Sequence, residues 1–194
     1  MRKLIVTNIV SVDGFIEGPG GNVRALPMDA TFDTYNRDRL RAAEILLLGR
    51  RTFEMFQGFW PAMADHPEAT SVHREISRLN GAMAKRVVSN TLSDVPSGAW
   101  ASTSTLVPGS ALHTHVAELK RSGDKDILIF GSRTLWNSLL NAGLVDELHL
   151  MVGGVVLGSG TPAFDAGAKA RLELLGVERG EGSSNVVLKY AVQR

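Results

Sequence analysis

The sequence predicts an α/β fold with a mostly parallel central sheet, helices on both faces and an antiparallel C-terminal edge. Short, almost wholly apolar runs alternate with segments of helical length, which is typical of strands covered on both faces. Two β-rich runs at the C-terminal end, Arg171 to Val177 and Val186 to Val192, have no helix between them and are expected to pair antiparallel. The 194 residues suit a single domain over positions 1–194.

The strands are predicted from β-rich, mostly apolar runs that end at turn-forming residues. The first, Lys3 to Val10, is almost continuously apolar and is followed by Asp13 and Gly14. The others are expected at Ile45 to Leu48, Lys85 to Ser89, Ala99 to Ser102, Ile127 to Phe130 and Glu147 to Val152.

The helices are predicted from capping residues and helical spacing of apolar side chains. Asp29 can cap a first helix that runs to about Ala43, and a short helix is expected around Thr52 to Phe56. Further helices are expected at Val72 to Asn80 before Gly81, from Ser110 through Lys120, and at Arg133 to Asn141 before Gly143.

Composition excludes several classes of function. The formal net charge of +1 is too small to indicate binding to nucleic acid or to acidic membranes. The chain has no cysteine, which excludes disulfides and thiolate chemistry, and its histidine spacing matches no metal motif. No signal peptide and no run long enough to span a membrane is evident, so a cytoplasmic protein without a metal is expected.

Two strand-to-helix turns could bind an anion. Gly49-Arg50-Arg51-Thr52 and Gly131-Ser132-Arg133-Thr134 each follow a short buried strand and begin a helix. Free N–H groups at a helix start, with arginines beside them, can bind phosphate. A plain turn with solvated arginines, or Ser132 as a simple N-cap, explains each turn equally well on its own. If the two strands are neighbours, the turns would hold the two halves of one dinucleotide.

Other candidate residues are less specific. Ser89 and Asn90 at a strand end could donate to a phosphate or ribose, although such residues also form ordinary turns. Asp13 could be catalytic or only part of a turn, and Asp33 could face a pocket or be a solvated helix carboxylate. The Rossmann, P-loop and serine-hydrolase signatures are absent.

The order of the motifs resembles the dihydrofolate-reductase-like superfamily, in particular the C-terminal reductase domain of the riboflavin-biosynthesis deaminase–reductase. The resemblance covers essentially the whole chain. It is carried by Ser11 to Ile16, Leu47 to Glu54, Lys85 to Thr91, Ile129 to Ser132 with Leu135, Gly143 to Leu148 and Val156 to Pro162.

This resemblance implies a three-layer dihydrofolate-reductase-like fold that binds NADPH at the carboxyl edge of the sheet. It places Gly49, Arg50, Arg51 and Thr52 near the adenosine phosphate and pyrophosphate. It places Ser89 and Asn90 near the adenosine ribose, and Gly131, Ser132, Arg133, Thr134 and Leu135 along the pyrophosphate. Asp13, Gly14, Phe15 and Ile16 would border the nicotinamide, and Gly158 and Gly160 would lie in a later loop near the substrate.

The resemblance also implies a homodimer that reduces a small pterin- or pyrimidine-like molecule. The first candidate activity is reduction of 5-amino-6-(5-phosphoribosylamino)uracil, with dihydrofolate reduction or non-catalytic ligand binding as alternatives. Ser132 stands where the family has a second glycine, and Asp33 matches the pterin-binding acid of dihydrofolate reductases only loosely. The candidate proton donors are an ordered water, Asp13 and Asp33.

Overall fold

The computed structural model describes residues 2–193 and contains ten strands and five α-helices in that range. The strands are β1 Leu4–Ser11, β2 Phe15–Glu17, β3 Ala43–Gly49, β4 Ala84–Ser89, β5 Ser104–Pro108, β6 Asp126–Phe130, β7 Glu147–Gly153, β8 Thr161–Pro162, β9 Arg171–Arg179 and β10 Val186–Gln193. The helices are α1 Ala30–Ala42, α2 Arg50–Phe59, α3 Ser71–Ala82, α4 Leu112–Arg121 and α5 Arg133–Asn141.

An eight-stranded sheet forms the centre of the protein, in the order β5-β4-β3-β6-β1-β7-β10-β9. The strands from β5 to β7 are parallel, whereas β10 runs antiparallel to both β7 and β9. This confirms the mostly parallel sheet with an antiparallel C-terminal edge. A small second sheet pairs β2 with β8.

Helices cover both faces of the sheet. On one face, α4 and α5 pack against β1, β3 and β6 through a core that includes Val116, Trp136 and Leu139. On the other face, α1, α2 and α3 contribute Leu40, Phe53 and Ile76 to a second core. Parallel strands are stable only when both faces are covered, and the arrangement confirms the predicted three layers. No helix within residues 2–193 is long and apolar enough to cross a membrane.

The strand predicted at Ala99 to Ser102 is wrong. Trp100 is buried, and residues 101–103 form a 3₁₀ turn before β5 begins at Ser104. The hydroxyls of Thr103 and Ser104 donate to the carbonyl oxygen of Trp100 at 3.2 and 2.7 Å. Because these side chains bond backward to the backbone, the segment turns before it becomes a strand.

The carboxyl ends of β1, β3, β4, β5, β6 and β7 lie along one edge of the sheet, because these strands are parallel. α2 and α5 start directly after β3 and β6, so their N-termini lie at this edge. α1 is followed by β3 and α3 is followed by β4, and both strands run toward the carboxyl edge. Each helix therefore ends at the opposite edge of the sheet and begins near the carboxyl edge. Ligands of open α/β sheets bind at this position.

Candidate functional site

The two glycine-led turns meet at the carboxyl edge, because β3 and β6 are adjacent in the sheet. The backbone N–H of Ser132 donates to Thr52 Oγ1 at 3.0 Å. In the opposite direction, the backbone N–H of Gly49 donates to Ser132 Oγ, also at 3.0 Å. The two turns are therefore hydrogen-bonded to each other and form one unit. The condition for a single dinucleotide site, that the two strands are neighbours, is met.

The backbone at the β6–α5 turn is left-handed at two successive residues. Gly131 has φ 52°, and Ser132, with φ 49°, is the one non-glycine residue of positive φ within residues 2–193. A Cβ at Gly131 would lie 3.1 Å from the side chain of Thr52, so the close approach of the turns favours glycine there. Serine in this conformation costs roughly 1–2 kcal/mol, and such strain often accompanies a functional site.

The helices that follow these turns begin without a side-chain cap. Neither Gly49 before α2 nor Ser132 before α5 accepts a hydrogen bond from its helix through a side chain. By contrast, Asp29 caps α1 and Thr70 caps α3. Uncapped N–H groups at the positive end of the helix dipole are suited to bind an anion. The paired starts of α2 and α5 therefore fit a ligand with phosphate groups.

Of the three arginines in the two turns, the structure leaves one available to a ligand. Arg50 pairs with Glu54 at 3.1 Å along the surface of α2. Arg133 donates to two carbonyl oxygens and pairs with a carboxylate in the loop 162–165, so its side chain fastens that loop. Arg51 is exposed, and no residue within 2–193 forms a hydrogen bond or ion pair with its guanidinium.

The other predicted residues of these turns differ in accessibility. Thr52 is 8% exposed and Leu135 is 7% exposed, so both side chains lie in the interior, whereas Thr134 is exposed. Leu135 packs in the core beside α4. Any contact of Leu135 with a ligand at the edge would therefore be through its backbone.

Ser89 and Asn90 form the turn that follows β4. Ser89 Oγ accepts from the N–H groups of Thr91 and Leu92, both at 3.1 Å. Asn90 Oδ1 accepts from the N–H of Gly109 at 3.0 Å, which joins the ends of β4 and β5. These bonds form an ordinary turn, which was one of the two interpretations of the sequence. The contact of Ser89 and Asn90 with a ribose stays a prediction.

Asp13 fastens a later loop to the segment after β1. Its carboxylate accepts from the N–H groups of Leu157 and Gly158 at 3.1 and 2.7 Å. Hydrogen bonding from the Ser11 hydroxyl, and then from these two N–H groups, lowers the pKa of Asp13 to about 2. The Asp13 carboxylate thus holds the loop that contains Leu157 and Gly158, and a catalytic role of Asp13 stays a prediction.

The segment from Gly14 to Glu17 and the loop containing Gly158 and Gly160 form one unit. β2 pairs with β8, and the N–H of Ala163 donates to the carbonyl oxygen of Gly14 at 2.9 Å. Gly160 has φ 141°, and a Cβ there would lie 2.1 Å from the carbonyl oxygen of Glu17. These glycines thus permit the close packing of two loops, and their contact with a substrate stays a prediction, as does that of Phe15 and Ile16 with the nicotinamide.

Asp33 lies near the carboxyl edge, and a histidine that the sequence did not indicate is its partner. Asp33 Oδ2 and His73 Nε2 are 2.8 Å apart, and their side chains are 20% and 29% exposed. Burial raises the pKa of Asp33, while the hydrogen bond and the charge of His73 act against that rise. Asp33 is thus the better placed of the two aspartates predicted as proton donors. The two residues are 40 positions apart, and no motif connects them.

Within residues 2–193, no group of three or more histidine, aspartate or glutamate side chains is arranged to hold a metal ion.

Comparison with known proteins identifies the family. The model of the RibD C-terminal domain matches residues 2–184. The protein YyaP of Bacillus subtilis (strain 168), whose name describes it as uncharacterized, is 32% identical over 186 residues, which cover 96% of this chain and 92% of YyaP.

Solved structures show the same fold at lower identity. A putative riboflavin biosynthesis protein from Shewanella sp. PV-4 matches with a TM-score of 0.74 and 23% identity over all of both chains. The deaminase/5-amino-6-(5-phosphoribosylamino)uracil reductase of Thermotoga maritima matches with a TM-score of 0.67 and 11% identity, over 99% of this chain and 57% of that one. Dihydrofolate reductase from Enterococcus faecalis, complexed with NADP(H), matches with a TM-score of 0.62 and 13% identity, over 99% and 97%. The chain has a dihydrofolate-reductase-like fold and belongs to the RibD C-terminal domain family.

Proposed function

We propose that this protein is an NADPH-dependent reductase of a small pterin- or pyrimidine-like molecule. The observation that carries the proposal is the pair of uncapped helix starts, α2 and α5, joined by the Ser132–Thr52 hydrogen bond. Two such starts side by side suit the two phosphates of a dinucleotide. The Thermotoga maritima protein of similar fold is a reductase by name, and the Enterococcus faecalis enzyme of similar fold is complexed with NADP(H).

In this proposal the chain binds and orients the cofactor through its backbone more than through its side chains. The N–H groups at the starts of α2 and α5 bind the pyrophosphate, and Arg51 pairs with the additional phosphate of NADPH. The segment Gly14 to Ile16 borders the nicotinamide and, together with the loop that Asp13 holds, excludes water from it. When bound, the reduced nicotinamide supplies the hydride.

The acceptor is proposed to bind beside the Asp33–His73 pair. One aromatic ring borders this pair: Trp60 contacts the ring of His73 with centroids 6.4 Å apart. An aromatic ring beside a half-buried carboxyl group suits a planar nitrogen heterocycle. The first candidate is 5-amino-6-(5-phosphoribosylamino)uracil, and dihydrofolate is the alternative.

Cofactor binding is tested by thermal unfolding of the purified protein with NADPH or NADH. We expect NADPH to raise the melting temperature more than NADH at equal concentration, because a ligand that binds only the folded state stabilises it. An Arg51→Gln variant should lose most of this difference. If neither nucleotide changes the melting temperature, the proposal is wrong.

Reductase activity is tested by NADPH oxidation with each candidate acceptor. Oxidation that depends on the uracil compound supports the first candidate, and oxidation that depends on dihydrofolate supports the alternative. Tight NADPH binding without oxidation by either acceptor would instead support a non-catalytic ligand-binding protein.

We also propose that the protein forms a homodimer through the edge strand β9. Leu174, Leu175 and Val177 on this strand are 54%, 52% and 56% exposed, and β9 has a neighbour on one side only. A long apolar edge strand in water promotes association unless it is covered. Size-exclusion chromatography with light scattering should give a dimer mass for the wild type and a monomer mass for Leu174→Glu. A wild type that is monomeric at micromolar concentration contradicts this proposal.

A further inference from the structure

The pair Asp33–His73 joins two helices close to the edge where the cofactor turns lie. Asp33 is in the first turn of α1, and His73 is in the first turn of α3. Both helices begin near the carboxyl edge of the sheet, and α1 packs against α3. The pair thus places two titratable side chains at the same edge as Gly49 and Ser132, on the face covered by α1, α2 and α3.

The hydrogen bonds of the pair determine where the imidazole proton lies. Thr70 and His73 form a capping box at the start of α3, in which the N–H of Thr70 donates to His73 Nδ1 at 3.5 Å. Because Nδ1 accepts in this contact, neutral His73 carries its proton on Nε2. That N–H donates to Asp33 Oδ2 at 2.8 Å, and no residue within 2–193 bonds to Asp33 Oδ1. One carboxyl oxygen is therefore held and the other remains available to a ligand.

The charged groups around the pair act in opposite directions on Asp33. Burial and the negative charge of Asp29 at the start of α1 raise the pKa of Asp33, whereas the bond from His73 lowers it. Near His73 on α3, Glu75 pairs with Arg41 at 2.7 Å and lies 4.0 Å from Arg37, so these charges largely compensate each other. The ring of Trp60 lies edge to face against the imidazole, with centroids 6.4 Å apart.

We propose that His73 is a positioning residue for Asp33: its Nε2–H holds the carboxyl group toward the acceptor and controls when that group carries a proton. This inference rests on the proposed reductase function. Asp33 is the catalytic residue, since it touches the acceptor, and His73 acts through it. The acceptor that suits this arrangement is a planar heterocycle with a C=N or C=O bond whose nitrogen or oxygen faces Asp33 Oδ1.

The proposed step transfers a hydride and a proton to the acceptor. With the reduced nicotinamide bound, its C–H bond would break and the hydride would form a new C–H bond at the acceptor carbon, so the nicotinamide would be oxidised and the acceptor reduced. The π electrons of the C=N or C=O bond would move to the nitrogen or oxygen. That atom takes the proton from Asp33 Oδ1, so the O–H bond breaks and a carboxylate remains. The Nε2–H of His73 stabilises this carboxylate, and solvent later returns the proton.

The test compares two substitutions at His73 that should both fold. His73→Gln can keep the capping box, because glutamine is a preferred residue at that helix position, and it can also donate to Asp33. His73→Leu removes the donor to Asp33. His66→Leu, at an exposed histidine whose ring accepts from the N–H of Glu68, is the matched control.

The measurement is the single-turnover rate of NADPH oxidation as a function of pH, with the acceptor that the wild type reduces. The rate should fall as pH rises through the pKa of Asp33, because the protonated acid is required. In His73→Leu the pH at which the rate falls should be about one unit higher than in the wild type. The maximal rate should drop roughly tenfold to a hundredfold. His73→Gln should restore the wild-type position of the fall, and Asp33→Asn should lose most of the rate at every pH.

The outcomes separate this inference from the proposed function. If the wild type neither binds NADPH nor reduces an acceptor, the reductase proposal fails. If the wild type reduces an acceptor but His73→Leu has the same profile and rate as His66→Leu, the reductase proposal stands and the role of His73 is overturned. An unchanged NADPH dissociation constant in all His73 variants, together with the shifted profile, supports the positioning role.

Discussion

The backbone N–H of Ser132 and the hydroxyl of Thr52 are 3.0 Å apart, although 80 positions separate them in the chain. The bond joins the start of α5 to the start of α2, and the return bond from Gly49 to Ser132 Oγ doubles the connection. Because Ser132 is in a left-handed conformation, these contacts hold a turn that would otherwise relax. The relative position of the starts of α2 and α5 depends on this connection.

Replacement of Thr52 by valine should weaken the connection without a change of shape. The N–H of Ser132 would lose its acceptor in a largely buried position, which costs about 1–3 kcal/mol in the free energy of unfolding. NADPH affinity should fall as well, because the two helix starts are no longer fixed. Urea unfolding and NADPH titration measure both effects. The exposed Thr105→Val is the control, and equal effects of the two variants would contradict the prediction.

Arg51 and Arg50 offer a matched comparison, because they are neighbours with different partners. Arg51→Gln should raise the NADPH dissociation constant by roughly tenfold, since it removes a free cation beside a phosphate. Arg50→Gln should change it less, because Arg50 is paired with Glu54. Fluorescence titration at low and high salt measures the difference, which should shrink at high salt. A larger effect of Arg50→Gln would show that Arg50, and not Arg51, contacts the phosphate.

Lys85 makes stability depend on pH in the alkaline range. Its side chain is fully buried, donates to the carbonyl oxygen of Met83 at 2.7 Å and lies 4.6 Å above the ring of Trp100. Burial lowers the pKa of Lys85 from 10.5 to about 8. Between these values the unfolded chain binds a proton that the folded protein has released, so the free energy of unfolding should rise with pH, by roughly 1.5 kcal/mol from pH 8 to 9.5.

The variant Lys85→Met tests this dependence, because methionine is of similar length and does not titrate. Its free energy of unfolding should lack the rise above pH 8, as measured by urea unfolding at several pH values. Lys125→Met, at an exposed lysine, should keep the wild-type rise. A parallel rise in Lys85→Met would show that another group causes it.

The sequence predicted the backbone of the candidate site better than its side-chain contacts. Glycine and basic residues follow Leu48 and Phe130, and they indicate the end of a strand whatever its position in the sheet. Both turns were therefore predicted. Their adjacency was only a condition at the level of the sequence, because no local pattern determines the order of the strands, and the structure meets that condition. The partners of Asp13 and Arg133 lie in loops 144 and about 30 positions away, which no local pattern reveals.

Short elements were the other features that the sequence did not indicate. β2 and β8 are three and two residues long, too short for an alternating pattern to be visible. They are positioned by glycines whose close packing becomes evident only in three dimensions, such as Gly160 against Glu17. The contact of His73 with Asp33 was not predicted either, because the two residues lie on different helices.

A buried chain of hydrogen bonds around His149 predicts the behaviour of the protein in acid. His149 Nδ1 lies 2.8 Å from the hydroxyl of Tyr35, and Nε2 lies 2.9 Å from Glu147 Oε2. Burial lowers the pKa of His149 from its usual 6.5, although Glu147 acts in the opposite direction.

Below pH 6.5 the unfolded chain therefore takes up a proton that folded His149 does not, and the free energy of unfolding should fall, by at most about 1.4 kcal/mol per pH unit from this group. The variant His149→Gln does not titrate and should show a smaller loss between pH 6.5 and 5, even if it is less stable at pH 8. Urea unfolding at these pH values measures the slope, with His66→Gln as the exposed control. Equal slopes in the wild type and His149→Gln would show that groups other than His149 cause the acid sensitivity.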